Sequence, residues 1–125
     1  EASLNLWNGV DLGMVWAKSI AMTELFIRLV ERDCGDSEVV LESPRDTNQR
    51  GSHVSFHHPQ GYAVMQALID RGVIGDFREP DLMRFGFTPL YVRFADVWDA
   101  VTVLADILKS SAWDRPQYKR RATVT

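Results

Sequence analysis

The run Leu82-Met83-Arg84-Phe85-Gly86-Phe87-Thr88-Pro89-Leu90-Tyr91 decides the fold, because its apolar side chains alternate with other residues. Side chains of a β-strand point alternately to opposite faces of the sheet. The run therefore predicts a strand with one apolar face and with Arg84 and Gly86 on the other face. A lone guanidinium beside a residue without a side chain suits a planar anion. The simplest such anion is a carboxylate, which arginine binds through two parallel N–H donors.

Helices and strands are predicted on both sides of this run from hydrophobic periodicity and turn residues. The helices run from an N-cap at Asp11 to about Arg32, from Tyr62 to Arg71, and from a cap at Asp96 to the break at residues 114–116. The further strands are residues 38–42, 52–57 and 73–78. The resulting order, α-β-β-α-β-β-α, predicts an α/β (α+β) two-layer sandwich. We expect a small, mostly antiparallel sheet with helices on one face.

The first helix is predicted to be apolar around most of its circumference. Its main stripe consists of Met14, Ala17, Ala21, Leu25 and Leu29, and three residues (Met22, Phe26 and Val30) widen that stripe. Five more apolar residues fall outside it: Leu12, Val15, Trp16, Ile20 and Ile27. Such a helix is normally covered on more than one side. We therefore expect residues 1–35 to form an interdomain helix with its lead-in, and residues 36–125 to form a C-terminal small α/β domain.

The predicted third helix has an apolar stripe of its own. The stripe consists of Val97, Val101, Leu104 and Leu108, joined by Trp98 and Ile107.

Composition narrows the class of protein. The chain has 125 residues and a formal net charge of −3 with both signs interspersed, which argues against a nucleic-acid partner. No stretch approaches the roughly 20 apolar residues that span a bilayer. We therefore expect no membrane partner. Cys34 is the only cysteine, so we expect a reducing, cytoplasmic location. Because the chain begins at Glu1 without an initiator methionine, we expect a C-terminal fragment of a longer protein.

Candidate sites other than Arg84 have simpler structural explanations. Arg84 itself could merely pair with a carboxylate elsewhere in the domain. His53 and His57 lie four residues apart on a predicted strand, which separates them by about 13 Å and excludes one shared metal ion. Cys34 follows a helix C-terminus, where a thiolate is disfavoured. We expect no metal site, no catalytic residue and no cofactor-binding residue in this chain.

Six stretches in register carry a resemblance to one protein family. They are SLNLWNGV (residues 3–10), KSIAMTELF (18–26), LESPRD (41–46), GSHVSF (51–56), GVIGDFR (72–78) and RFGFTPLY (84–91). In this order the chain resembles the C-terminal small domain of kynureninase, a pyridoxal-phosphate enzyme of the aspartate-aminotransferase fold type.

The resemblance implies a function for the longer protein. A kynureninase is a homodimer of the kynurenine pathway, in tryptophan catabolism and NAD biosynthesis, that hydrolyses L-kynurenine, or 3-hydroxykynurenine, to an anthranilate and L-alanine. The family's larger N-terminal domain binds pyridoxal 5'-phosphate and supplies the Schiff-base lysine, so Lys18 has no such role. Arg84 falls at the arginine that binds the substrate's α-carboxylate across this fold type. The fragment alone is expected to be inactive.

Two alternative functions stay open at this point. The chain could be a free-standing α/β module that binds a small carboxylate through Arg84. It could also be the small domain of a related pyridoxal-phosphate lyase or desulfurase, although residues 87–91 favour kynureninase.

Overall fold

The computed structural model describes residues 12–44, 53–87 and 92–120. Its helices are α1 (Leu12–Cys34), α2 (Gly61–Asp70), α3 (Phe94–Ser110) and α4 (Pro116–Lys119). Its strands are β1 (Val40–Leu41), β2 (His53–His57), β3 (Asp76–Arg78) and β4 (Leu82–Gly86). The predicted order of elements is confirmed, with the one-turn helix α4 added after α3. The predicted domain division between residues 35 and 36 stays a prediction.

The four strands form one antiparallel sheet in the order β1-β2-β4-β3. β4 lies in the middle of the sheet and pairs with β2 on one side and β3 on the other. In this register, Ser55 of β2 and Asp76 of β3 both lie directly opposite Arg84. The predicted two-layer α+β architecture with a small antiparallel sheet is confirmed.

The core lies between the helices and one face of the sheet. Met83 and Phe85 on β4 and Phe87 beyond it are buried, as the alternation predicts. Phe26 of α1 packs over this face, with its ring centroid 4.9 Å from that of Phe85 and 5.1 Å from that of Phe87. Aromatic rings at this spacing contribute packing and favourable edge interactions. The helices are therefore held on the face of β4 opposite Arg84.

The buried face of α1 differs from the main stripe predicted for it. Phe26 and its neighbours on that face are buried, whereas Met14, Ala17 and Ala21 are exposed, Met14 to 71%. The buried apolar residues of α1 are Met22, Phe26, Ile27, Leu29, Val30 and Cys34. Because α1 is apolar almost all round, its periodicity could not select the face that meets the sheet. The contact between Phe26 and the β4 aromatics selects that face.

The start of α3 also corrects a prediction. The helix begins at Phe94, with Arg93 as N-cap, so Asp96 is the third helical residue and not the cap. The Asp96 carboxylate accepts a hydrogen bond from the backbone N–H of Arg93 at 2.8 Å, which is half of a capping box. Trp98, predicted to join the apolar stripe, is 44% exposed, and the guanidinium of Arg32 lies 5.2 Å from its ring centroid.

The remaining apolar residues of the predicted α3 stripe are buried. They are Val97, Val101, Leu104, Ile107 and Leu108.

Two predicted strands are shorter in the structure. β3 begins only at Asp76, because the preceding residues close α2: Gly72 adopts a positive φ of 88°, and the N–H of Val73 donates to the carbonyl of Leu68. β1 begins only at Val40, after Glu38 with a φ of 64°. The predicted cap Asp11 and the end of the Arg84 run, residues 88–91, lie outside the described residues.

Candidate carboxylate-binding site on the open face of the sheet

Arg84 lies at the centre of the sheet face opposite the one that the described helices cover, here called the open face, although Ser55 on this face is buried. In the cross-strand row Ser55–Arg84–Asp76, the guanidinium has a hydroxyl on one side and a carboxylate on the other. Directly opposite residues on one sheet face bring their Cβ atoms to about 4.5–5.5 Å, so their side chains interact. The prediction that Arg84 projects away from the core is confirmed, because its neighbours Met83 and Phe85 are buried and Arg84 is not.

Arg84 forms an ion pair with Asp76. Its Nη2 lies 2.9 Å from Oδ2 of Asp76, and the two side chains are 32% and 50% exposed. Arg84 has two possible explanations, a carboxylate site and an internal salt bridge, and the salt bridge is present in the structure. Among the described residues, this ion pair engages one of the five N–H donors of the guanidinium, which leaves donors there for a further anion.

Two glycines shape the backbone around Arg84. A Cβ at Gly75 would lie 2.8 Å from the carbonyl oxygen of Arg84 and 2.9 Å from Cε of Met65, so only glycine lets β3 approach β4 this closely. A Cβ at Gly86 would lie 3.3 Å from Cδ2 of His53. The imidazole of His53 therefore lies over Gly86, its cross-strand partner, on the face that carries Arg84.

Sequence reasoning did not assign Asp76 or His53 to this site. A positional signal for Asp76 was present, because Asp76 and Arg84 are equally spaced about Pro80 in the turn that joins β3 and β4. Residues equally spaced about a tight turn become direct partners in an antiparallel pair. For His53 the signal would have been its pairing with Gly86, but that pairing can be known only from the register between β2 and β4.

His57 lies at the other end of β2 and binds two carboxylates. Its Nδ1 is 2.7 Å from Oδ1 of Asp81, and its Nε2 is 3.5 Å from Oε2 of Glu42. The hydrogen bond to Asp81 raises the pKa of His57, burial opposes that shift, and Glu42 adds to it. These contacts link the strand ends of β1, β2 and β4.

His58, the next residue, has the opposite environment. It is buried, and its Nδ1 accepts a hydrogen bond from the backbone N–H of Gln60 at 2.9 Å. Burial lowers the pKa of its imidazole, although a hydrogen bond with the backbone of Ser37 opposes this. The three histidines thus have three different surroundings, and within residues 12–44, 53–87 and 92–120 no three potential metal ligands converge.

Other reactive groups lie away from the open face. Cys34 is buried at the end of α1, and burial raises the pKa of its thiol to about 11, so the thiolate is scarce at neutral pH. The lysines in the described part of the chain, Lys18, Lys109 and Lys119, all lie on helices. Of the helices in this part, none has the length and apolar character needed to cross a bilayer. Neither the thiol nor these amines are therefore placed to act together with Arg84.

Comparison with known proteins shows which family this chain is similar to. Residues 15–104 match the family described as the kynureninase C-terminal domain. A kynureninase of Pseudomonas fluorescens is 54% identical over all 125 residues. Kynureninases of Burkholderia mallei (strain SAVP1) and Burkholderia pseudomallei (strain K96243) are also 54% identical over the whole chain. The chain spans 30% of the length of each of these relatives.

Proposed function

Because this chain belongs to the kynureninase family, we propose that it is the substrate-binding C-terminal part of a hydrolase that cleaves L-kynurenine to anthranilate and L-alanine. The observation that carries the proposal is the open-face guanidinium of Arg84, held at one nitrogen by Asp76 at 2.9 Å. Identity of 54% over the full chain with proteins named kynureninase supports the choice of substrate.

In this proposal, Arg84 binds the α-carboxylate of the amino-acid substrate through two parallel N–H donors. Charge-assisted bidentate hydrogen bonds of this kind are about twice as strong as neutral ones and define an orientation as well as an affinity. Arg84 would therefore hold the amino acid so that its α-C–H bond and its side chain face the remainder of the site. Gly86, beside Arg84, has no side chain that could fill the space for the substrate, and the imidazole of His53 lies over Gly86.

The proposed cofactor is pyridoxal 5'-phosphate, which supplies an electron sink when bound. The described residues do not fit this group: their lysines lie on helices, whereas Arg84 lies on the open sheet face. We therefore assign the cofactor and its lysine to the part of the protein that the relatives have beyond this chain. The role left to this chain is to bind and orient the substrate, and we expect the chain alone to be inactive.

The assembly and location complete the proposal. We propose a homodimer, because the exposed apolar residues Met14 and Trp16 near the start of α1 favour burial against further protein. We also propose a cytoplasmic enzyme of tryptophan catabolism that can use L-kynurenine or 3-hydroxykynurenine. The single, buried Cys34 is compatible with a reducing compartment.

Steady-state kinetics of the full-length protein that carries this chain test the proposal. We expect turnover of L-kynurenine by the wild-type protein and a loss of about 100-fold or more in kcat/KM for Arg84→Lys, because a point charge cannot reproduce the arginine fork. Arg71→Lys is the matched control, since Arg71 also pairs with an aspartate, Asp106 at 2.6 Å, but lies on the helical side. Wild-type kinetics for Arg84→Lys would refute the role of Arg84.

The binding-module alternative makes a different prediction. A free-standing carboxylate binder would bind a simple amino acid such as L-alanine as the 125-residue chain alone. The exposed start of α1 and the 30% coverage of the relatives favour the enzyme part instead. Calorimetric titration of the chain with L-alanine, with Arg84→Lys as control, separates the two functions.

A further inference from the structure

We propose that Asp76 is a positioning residue for the carboxylate site: it holds one nitrogen of Arg84 and so orients the remaining N–H donors toward the substrate. This role of Asp76 rests on the proposed function, because it requires Arg84 to bind the substrate's carboxylate. The proposal is carried by the hydrogen bond from Nη2 of Arg84 to Oδ2 of Asp76, at 2.9 Å.

The chemistry of the guanidinium allows Asp76 and a substrate to bind at the same time. Nη2 has two hydrogens, one parallel to the Nε–H bond and one parallel to an Nη1–H bond, so the group has two edges with paired donors. Within the described part of the chain, the hydrogen bond that Asp76 accepts from Arg84 comes from Nη2 and not from Nε or Nη1. Whichever Nη2 hydrogen Asp76 takes, the other edge keeps two parallel donors. A bidentate carboxylate can therefore bind there without displacing Asp76.

The sheet places Asp76 for this purpose. Asp76 is the direct cross-strand partner of Arg84, at the first residue of β3. Gly75, immediately before it, lets the backbone of β3 pass close to the carbonyl of Arg84, where any Cβ would clash at 2.8 Å. The position of the carboxylate is thus determined by backbone pairing, which is more rigid than a loop.

The ion pair contributes little to stability, which leaves orientation as its main effect. Both side chains are substantially exposed, at 32% and 50%, and pairs this exposed typically contribute little to the stability of a protein. An unrestrained arginine side chain, by contrast, has substantial rotamer entropy to lose when it binds a ligand. By restricting Arg84 beforehand, Asp76 would lower that cost of binding.

A competing role for Asp76 predicts the opposite change in affinity. If Asp76 merely occupied Arg84 and repelled an incoming carboxylate, its neutralisation would tighten substrate binding. If it orients Arg84, neutralisation weakens substrate binding. The sign of the change in KM in Asp76→Asn therefore distinguishes a positioning residue from a competitor.

The test uses the full-length protein that carries this chain, with L-kynurenine as substrate. We expect Asp76→Asn to raise KM about tenfold with little change in kcat, because orientation of the carboxylate is lost while the reacting groups remain. Asp76→Glu, which keeps the charge but moves it outward, should give an intermediate KM. Asp106→Asn is the matched control, because it breaks a similarly exposed pair, Arg71–Asp106, and should leave KM unchanged.

A binding measurement without turnover separates the two proposals. Calorimetric titration of the same proteins with L-alanine should show weaker binding by about the same factor in Asp76→Asn, with no such change for L-alaninamide, which has no carboxylate. Wild-type KM and L-alanine affinity in Asp76→Asn, or tighter binding, would overturn the role of Asp76 while leaving kynurenine hydrolysis intact.

A wild-type protein that binds L-alanine, but does not hydrolyse L-kynurenine, would overturn the proposed function alone. The calorimetry would then still decide the role of Asp76. A wild-type protein that neither binds L-alanine nor hydrolyses L-kynurenine would overturn both proposals.

Discussion

The imidazole Nδ1 of His57 lies 2.7 Å from Oδ1 of Asp81, which joins the end of β2 to the residue that precedes β4. The hydrogen bond to Asp81 is the largest influence on the pKa of His57, and it raises that pKa. The folded protein therefore binds this proton more tightly than the unfolded chain does. By linkage, the resulting stabilisation is present below the unfolded pKa of about 6.5 and is lost as the pH rises through the raised folded pKa.

We expect His57→Gln to lower the free energy of unfolding more at pH 5.5 than at pH 8.5. Urea unfolding of the 125-residue chain at the two pH values measures this difference. His58 must be considered as well, because its lowered pKa has the opposite effect and costs stability as the pH falls below about 6.5. That cost is present in both the wild-type chain and the variant, so it cancels in the comparison. An equal loss at both pH values would contradict the assignment.

Phe26→Ala should be among the most destabilising single changes in the chain. Phe26 is 1% exposed, and its ring contacts the rings of Phe56, Phe85 and Phe87. Removal of a buried phenylalanine side chain costs about 3–5 kcal/mol through lost burial and the cavity left behind. Urea unfolding monitored by circular dichroism checks this. Ala21→Ser on the exposed side of α1 is the control, and a loss below about 1 kcal/mol for Phe26→Ala would refute the core position of Phe26.

Gly75→Ala and Gly86→Ala should differ in their effects, although both glycines lie beside Arg84. At Gly75 the added methyl would meet the rigid backbone carbonyl of Arg84 at 2.8 Å and Met65 at 2.9 Å. Overpacking of this kind costs about 1–3 kcal/mol. At Gly86 the neighbour among the described residues would be the exposed imidazole of His53, at 3.3 Å, which can move. We expect a clear loss of thermal stability in Gly75→Ala and a small change in Gly86→Ala. The reverse order would contradict the close approach of β3 to β4.

Asp96→Ala should lower the thermal stability of the chain, because the start of α3 would lose its capping-box carboxylate. The hydrogen bond from the backbone N–H of Arg93 lowers the pKa of Asp96, so the contribution should weaken as acid protonates the carboxylate. Asp99→Ala, in the second turn of the same helix, is the control and should have a smaller effect. Thermal unfolding at pH 7 measures both variants. Equal losses would show that the cap has no special role.

Much of the fold followed from local patterns. The strict alternation from Met83 to Phe87 determined a strand with one buried face and placed Arg84 on the other, and the structure confirms this. The glycine at position 72 ends α2 as expected, because its positive φ of 88° is readily adopted only by glycine. The order of helices and strands was also readable, since each element has its own hydrophobic period and its own turn residues.

By itself, then, the sequence determined the elements, their order and the face on which Arg84 lies, because these depend on neighbours in the chain. Tertiary structure alone decided which side of α1 is buried, because a helix apolar all round has no preferred face until Phe26 meets the aromatic residues of β4. It also decided that Asp76 is the partner of Arg84 and that His53 lies over Gly86. The contact of His53 with Gly86 depends on the register between β2 and β4, which joins residues distant in sequence through backbone hydrogen bonds. For Asp76 and Arg84, the equal spacing about Pro80 indicated the cross-strand pairing, but only the structure shows the ion pair between the side chains.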